Sequence, residues 1–595
     1  MVAHPGQSHA DPERTQQEDI DVLLLPTRAW DIWMAGAYRH ITDELADAGW
    51  PCSPVPGRTF RARSHDKRTY AFRVDAKRVD YTAAVTKKIL DHFSRPGDDG
   101  ICRYRVDRMV LIGYCGTLKG DEFRLGDIGV ASQVDCYMEK SKIVGGDKAL
   151  SGEVYRTTLE YVRIAQNLRY LDPDGYEVFR REAIAARSAY ELNDAARERL
   201  PSESIAIHTP HLASATLLST TKGAVQWLLD RDRKLFMIDM ESAGMMAAVW
   251  AYNQSQSTSP PIKTIVVRAA SDFTDETREM IKPARRALEE SGVHNVCRFL
   301  DWMFGFTSRM LPAIARPSDV DVGIVVPLEE EFSYLVEEIR SLKAPLTPCF
   351  DPRERRFSYT FTLENTRCAC TFVGDMGLAQ MALTTDAFLN AHPGTRLLIL
   401  VGIAGSIHSD ILVCDVALAT AVDPYLQGAR SDLQQIGPLS PFHADPDLVA
   451  TVRDLFEHVK EDVRRSCHEM YGELKDVPTR LMRLIREPAS ITLHCVSFAS
   501  GDAVAADAGV HVLLKSGARN NAVVEMEAGG MHVAAALRPA ARVQTLFFRG
   551  ISDNASAEKE DLDKIKPAGI LRRIAMTNAS SVVLHLLKSG VLGRS

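Results

Sequence analysis

The chain of 595 residues repeats itself once, and the length of the repeat limits the folds open to it. Ile-Asp-Met-Glu-Ser-Ala-Gly at 238–244 returns as Val-Glu-Met-Glu-Ala-Gly-Gly at 524–530, with Glu527 standing 286 positions after Glu241. Arg-Ala-Ala-Ser-Asp at 268–272 returns as Arg-Gly-Ile-Ser-Asp at 549–553, an offset of 281. Ile-Lys-Pro-Ala occurs at 281–284 and at 565–568, and Leu-Ile-Gly-Tyr-Cys-Gly-Thr at 111–117 matches Leu-Val-Gly-Ile-Ala-Gly-Ser at 400–406. The first apolar runs, ending at Pro26 and Pro327, also correspond, at an offset of 301. Five blocks in one order mean a tandem duplication, and a period of roughly 290 residues excludes a solenoid of short repeats. The expected organisation is a disordered polar tail at 1–19, a first domain at 20–311, a linker at 312–319 bounded by Pro312 and Pro317, and a second domain at 320–595.

Within each copy, short apolar runs alternate with helical patterns. Val322–Val326, Leu397–Val401, Val413–Ala419 and Thr545–Ile551 read as strands buried on both faces, which predicts an α/β fold. Pro327 is expected to open a helix whose Phe332, Leu335, Val336 and Ile339 share one face, and Met526–Leu537 reads as a second helix. The Gly402-Ile403-Ala404-Gly405-Ser406 segment reads as a turn at a strand end, where glycines let a ligand approach the backbone.

Composition removes several classes of function. The chain is 45% hydrophobic and 25% charged, so it folds into a core rather than staying disordered. Its net charge of −7 carries no basic excess, and no nucleic-acid partner is expected. The eleven cysteines include no C-x-x-C pair and no zinc spacing, so reduced thiols and no metal are expected. The polar N-terminus lacks the apolar core of a signal peptide, and the most apolar long stretch, 397–422, is interrupted by His408, Asp410 and Asp415. A cytoplasmic protein without membrane spans is the expectation.

In open α/β sheets, ligands bind beyond the carboxyl ends of the strands. Three sets of carboxylates stand there in the second copy: Glu329-Glu330-Glu331, Glu525 with Glu527, and Asp553. Taken singly, each has an ordinary structural role, in a helix first turn or as an N-cap. Together at strand ends they suggest a site.

These residues carry a resemblance. Val-Gly-Ile-Val-Val-Pro-Leu-Glu-Glu-Glu-Phe, Val-Gly-Ile-Ala-Gly-Ser, Phe-Ala-Ser-Gly-Asp-Ala at 498–503, Val-Glu-Met-Glu-Ala and Arg-Gly-Ile-Ser-Asp follow one another as in the nucleoside phosphorylase and nucleosidase superfamily. The second copy most resembles the branch with methylthioadenosine/S-adenosylhomocysteine nucleosidases, and the first copy resembles the family through fewer blocks. The resemblance implies two tandem three-layer domains, each a central mixed, twisted sheet flanked by helices, and a purine nucleoside or nucleotide as ligand without a cofactor. It implies that Glu331 activates water, Asp553 protonates the purine with Ser552 orienting it, and Glu527 holds the ribose hydroxyls with Met526 on the sugar. Asp502 and Val504 then line the base pocket, with Ile403 and Arg549 in the binding set. Val504 stands where the nucleosidases commonly stack an aromatic ring.

The chemistry wants these residue types. Cleavage of an N-glycosidic bond passes through an oxocarbenium-like sugar, the leaving base needs a proton, and a second carboxylate can take the proton of water. Phosphorolysis would ask for cations where the Glu329–Glu331 run places negative charge, so water is the expected nucleophile. Phosphorolysis, nucleotide depletion in defence, and a purine sensor that binds without turnover remain as alternatives.

The first copy keeps Met240, Glu241, Ser271 and Asp272 but places Trp30 where the second has Glu331, leaving Asp31 as a substitute base. It is expected to be a degraded partner, forming a pseudo-dimer with the second copy within the chain, with further homo-oligomerisation open. The basic residues from Lys460 to Arg486 offer two readings, a solvated helix face or a contact for a 5′-phosphate.

Overall fold

A computed structural model describes residues 17–592 except 36–41, 47–56, 63–67, 75–77, 99–101, 121, 138–141, 145–146, 150–151, 189–191, 195–204, 216–221, 257–259, 275–277, 425–428, 432–433, 437–440, 475–476, 502–519, 539–542, 556–557 and 568. The chain divides into two compact units, Met1–Ala313 and Ile314–Ser595. The first strand begins at Glu18, inside the segment expected as tail. No helix among the described residues is long and apolar enough to cross a membrane.

The N-terminal unit is built on β1 (Glu18–Pro26), α1 (Thr27–Met34), β2 (Arg68–Val74), β3 (Tyr104–Thr117), β4 (His211–Ser214), β5 (Leu235–Asp239), α2 (Ser242–Ser255), β6 (Lys263–Phe273) and α3 (Arg285–Gly305). β1 runs parallel to β2 and β3, β6 parallel to β3, and β5 parallel to β4 but antiparallel to the end of β3. The C-terminal unit is built on β7 (Val322–Val326), α4 (Glu329–Ser341), β8 (Thr366–Phe372), α5 (Leu378–Ala391), β9 (Leu397–Ser406), β10 (Val416–Pro424), α6 (Pro446–Tyr471), β11 (Leu493–Ser500), β12 (Asn521–Glu525), α7 (Ala528–Ala536), β13 (Gln544–Asp553), α8 (Lys559–Asp563) and α9 (Ile570–Lys588). Its strands repeat the same pairings: β7 parallel to β8 and β9, β13 parallel to β9, and β12 parallel to β11 but antiparallel to the end of β9. The register matches as well, because Ser214 faces Asp239 and Ser500 faces Glu525.

Alternation explains the layers of the C-terminal unit. Leu398, Leu400 and Phe547 meet Met381 and Phe388 of α5 and Met531 of α7 in one cluster. The intervening Ile399, Val401 and Phe548 are also buried, and α9 packs along β9 and β13 with α4 and α6 against it. Strands covered on both faces read as unbroken apolar runs, as these do.

Several local expectations change. Pro327 precedes the helix, which starts at Glu329, because Leu328 is extended and serves as the N-cap. The second helix runs Ala528–Ala536, since Met526 and Glu527 form the turn that leaves β12. The strand expected at 413–419 is Val416–Pro424, because Cys414 has a φ of +76°, outside the extended region. The glycine segment is no turn: it lies inside β9, which extends to Ser406. Its openings are filled by the protein, for a Cβ on Gly402 would meet Arg549 Nη1 at 2.1 Å, and one on Gly405 would meet Asp553 Oδ1 at 2.9 Å. Gly113 makes the same room for Arg268 Nη1, at 2.2 Å.

Both units therefore carry a guanidinium threaded over the central strand. Arg549 is fully buried and binds Glu525 together with Glu527, the latter at 2.8 Å. Glu525 in turn accepts the Glu527 and Ala528 amides at 3.0 and 2.9 Å, which fixes the turn between β12 and α7. Arg268 repeats this with Asp239 at 2.5 Å and Glu241 at 3.3 Å. Removing a buried cation strands the carboxylates it paired, at a cost of about 3–5 kcal/mol. Arg549→Met should accordingly destabilise the C-terminal unit by about that much, read as lost hydrogen-exchange protection of the β12 and β13 amides. Native protection in that variant would mean the clamp does not hold these strands.

Candidate active site

Each carboxylate predicted to act in the second copy sits at a strand end that the sheet brings to one edge. Glu331 is the third residue of α4, just after β7, and its Oε2 accepts the Leu328 amide at 3.0 Å, half of a capping box. Its Oε1 accepts the Ile403 amide of β9 at 2.9 Å. Glu331 is buried, and burial pushes its carboxyl up to about 7, with Glu527 adding to the rise and Arg549 and the two amides opposing it. Burial is the main physical cause; the Arg549 guanidinium, on which Glu525 and Glu527 also act, lowers the carboxyl but does not cancel that rise.

Glu527 follows β12. Its Oε2 binds Arg549, and its Oε1 accepts the Gly377 amide at 3.4 Å. Burial raises this carboxyl as well, against the pull of Arg549. Gly377 has a φ of +111°, which favours glycine, and it belongs to the Val-Gly-Asp-Met-Gly loop between β8 and α5. Sequence reasoning passed over this loop, although two glycines directly after an apolar strand were its signal. Ser500 was also missed as a support, and its Oγ accepts the Gly529 amide at 3.0 Å.

Asp553 ends β13. The pairing of β9 with β13 steps from Ile551 to Asp553, so Ser552 is skipped in the register, and the N-terminal unit skips Ser271 in the same way. Such an irregularity re-aims the side chains beside it. Ser552 Oγ lies 3.1 Å from Asp553 Oδ2 and 3.3 Å from the Ala404 carbonyl, either of which can take its proton, and Lys559 Nζ lies 3.0 Å from the same Asp553 oxygen. Asp553 Oδ1 accepts the Ala555 amide at 2.8 Å. Ile403 and Met526 are half-buried beside these groups. Arg549 was expected in the binding set, but it has no exposed surface and reaches the site only through the carboxylates it holds. Asp502 and Val504 lie outside the described residues.

The four counterparts in the N-terminal unit also come together. Met240, Glu241, Ser271 and Asp272 line one cavity of about 150 Å³ with Pro26 and Tyr114. Asp272 Oδ2 is held by Arg278 at 2.8 Å and Arg285 at 3.5 Å, while its buried Oδ1 has no hydrogen-bond partner among the described residues. Burial pushes the Asp272 carboxyl up, and the two arginines draw it down. Trp30 is buried on α1 and packs against Trp33, with ring centroids 5.3 Å apart. Asp31 points outward, with half its side chain exposed and Arg73 4.0 Å away. Neither residue supplies a carboxylate at the place of Glu331.

The basic segment is largely committed within the protein. Lys460, Arg464 and Arg465 pair with Glu457, Glu461 and Asp462 of their own helix, and Arg486 binds buried Asp415 through two contacts of 2.8 Å. Arg480 pairs with Asp561. Lys475 lies outside the described residues.

The Helicobacter pylori 5′-methylthioadenosine/S-adenosyl homocysteine nucleosidase is similar at 16% identity over 46% of this chain and 99% of its own, with a TM-score of 0.34. The S-adenosylhomocysteine nucleosidase from Streptococcus pyogenes, in complex with 5-methylthiotubericidin, is 19% identical over 47% and 98%, with a TM-score of 0.34. Futalosine hydrolase of Helicobacter pylori is 17% identical over 45% and 97%, with a TM-score of 0.33. No curated protein matches the chain. The family described as the phosphorylase superfamily matches residues 321–588, from the start of β7 to the end of α9. That match spans nearly all of the C-terminal unit, Ile314–Ser595.

Proposed function

We propose that the C-terminal unit hydrolyses the N-glycosidic bond of an adenine nucleoside or nucleotide, releasing the free base and the ribosyl moiety. The observation that carries this reading is Glu331, a buried carboxyl anchored by two backbone amides and raised to about 7. A base poised near neutrality can take a proton from water and release it again. Glu527 offers a carboxylate for two vicinal hydroxyls, and Asp553, oriented by Ser552, faces the leaving base. The carboxylates around Glu331 disfavour an incoming phosphate dianion and so favour water over phosphorolysis. In the N-terminal unit Trp30 cannot accept a proton, because an indole N–H only donates. That unit serves as a degraded counterpart, and turnover resides in the C-terminal one.

A second reading, a purine-nucleoside sensor that binds without turnover, is favoured by the donors that already occupy both oxygens of Asp553. Release of free base from adenosine, 5′-methylthioadenosine and adenosine 5′-monophosphate, followed by chromatography, separates the two. Hydrolysis predicts adenine as a product, and binding without adenine would establish the sensor.

The roles divide in a testable way. Glu331→Gln should lower kcat by about 10²–10⁴-fold while nucleoside binding persists, since Glu527 is untouched. Glu527→Gln should weaken binding and turnover together, and calorimetry distinguishes the two patterns. Loss of binding in Glu331→Gln would reverse the assignment. Because Glu331 must be ionised to act and its carboxyl lies at about 7, kcat/KM should rise with pH through that value and level off above it. A profile flat from pH 5 to 8, at about the range a normal carboxylate would give, would remove Glu331 as the base. Asp553→Asn should keep the fold and cut turnover by about 10²–10⁴-fold, and base release at the parental rate would show that another group is the acid.

A further inference from the structure

The proposed hydrolysis needs a proton on the departing base, yet the surroundings of Asp553 are those of a carboxylate. Its Oδ2 lies 3.1 Å from Ser552 Oγ and accepts from Lys559 Nζ at 3.0 Å, and its Oδ1 accepts from the Ala555 amide at 2.8 Å. An oxygen ringed by donors acts as an acceptor. The proton therefore has to come from a neighbour that can release one.

The duplication identifies that neighbour. Lys559 stands six residues beyond Asp553, and Arg278 stands six residues beyond Asp272. Each cation bonds the Oδ2 of its aspartate, at 3.0 and 2.8 Å. The place is the same and the charge is the same, but the chemistry differs. An ammonium can lose its proton, whereas a guanidinium stays charged throughout the usable pH range. Lysine accompanies the copy with Glu331, and arginine accompanies the copy with Trp30.

We propose that Lys559 supplies, through Asp553, the proton taken up by the leaving base, and that Arg278 disables the same step in the N-terminal unit. The proposal rests on the hydrolytic reading and assigns the origin of its acid. The Nζ–H bond breaks as an O–H bond forms on Asp553, and that proton passes to a ring nitrogen of the base. The C1′–N electron pair leaves with the base, the water oxygen bonds C1′, and the water proton goes to Glu331. One proton is given at Lys559 and one is taken at Glu331, so the site is restored by exchange with solvent. Lys559 has 30% of its side chain exposed, which gives solvent access for recharging.

The groups that face this pair come from three places. Ser552 and Asp553 lie on β13, Gly405 of β9 offers only backbone beneath Asp553, and Glu558 precedes Lys559 and accepts from Asn554 Nδ2 at 3.2 Å. The ion pair of Lys559 among the described residues is with Asp553. Lys559 acts through Asp553 and is a positioning residue with respect to substrate.

The decisive variant keeps the charge and removes the labile proton. In the full chain, with adenosine and 5′-methylthioadenosine as probes, Lys559→Arg should bind nucleoside as the parent does, yet lose about 10²-fold or more in kcat. The pH dependence of kcat in Lys559→Arg should differ from the parent's, because a guanidinium cannot release its proton. Lys559→Met should show the same loss of kcat. A Lys559→Arg enzyme with the parental kcat and pH profile would mean that the lysine contributes only charge, and a faster Lys559→Met enzyme would mean that it blocks the site; either result overturns the assignment. If the parent releases no base, the hydrolytic reading and this assignment fall together. Release by the parent with an unaltered Lys559→Arg profile overturns this assignment alone.

Discussion

The buried guanidinium of Arg549 is the interaction on which the C-terminal site depends. It ties the ends of two strands by holding Glu525 and Glu527, and Glu525 in turn fixes the amides that begin α7. This requires a glycine at position 402, because a methyl group there would stand 2.1 Å from Nη1. A charge in the interior is stable only when it is paired, and here the pairing is deliberately short by one. Three carboxyls share one cation, and the one anchored by amides rather than by the guanidinium, Glu331, is the one lifted to about 7. Burial lifts Glu331, and the guanidinium that ties the strand ends limits that rise.

The N-terminal unit shows what the arrangement becomes when the third carboxyl is removed. Arg268, Asp239 and Glu241 reproduce the clamp, and Gly113 makes room for it, but the position aligned with Glu331 is the buried Trp30, packed against Trp33. Asp272 is held by two arginines where Asp553 has one lysine. The clamp is retained because it holds the strands together, whichever chemistry the edge supports. The clamp recurs in both units while the side chains around it differ.

Much of this was legible in the linear order of residues. The repeat, the alternation of apolar runs and helices, and the resemblance of the second copy all rest on local pattern, and the phosphorylase-superfamily match falls on the same stretch. Helix and strand limits were less legible, since caps and positive φ angles decide them residue by residue. The glycines at 402 and 405 were read as a ligand-binding turn because a sequence shows that space is needed and not what fills it. Arg549 was read as a binding residue for a related reason: the motif places it next to the site, and only its burial shows that it stands behind the carboxylates.

By itself, then, the sequence determined the duplication, the α/β class, and which residues sit at strand ends, because those follow from period and order along the chain. The tertiary structure decided which charges meet. That Glu331, Glu525 and Glu527 share one guanidinium, and that Asp553 and Asp272 each receive a cation six residues further on, depends on strand register and on loops folding back over the sheet edge. Electrostatic energy depends on distance and local dielectric, and neither is written in the order of the residues.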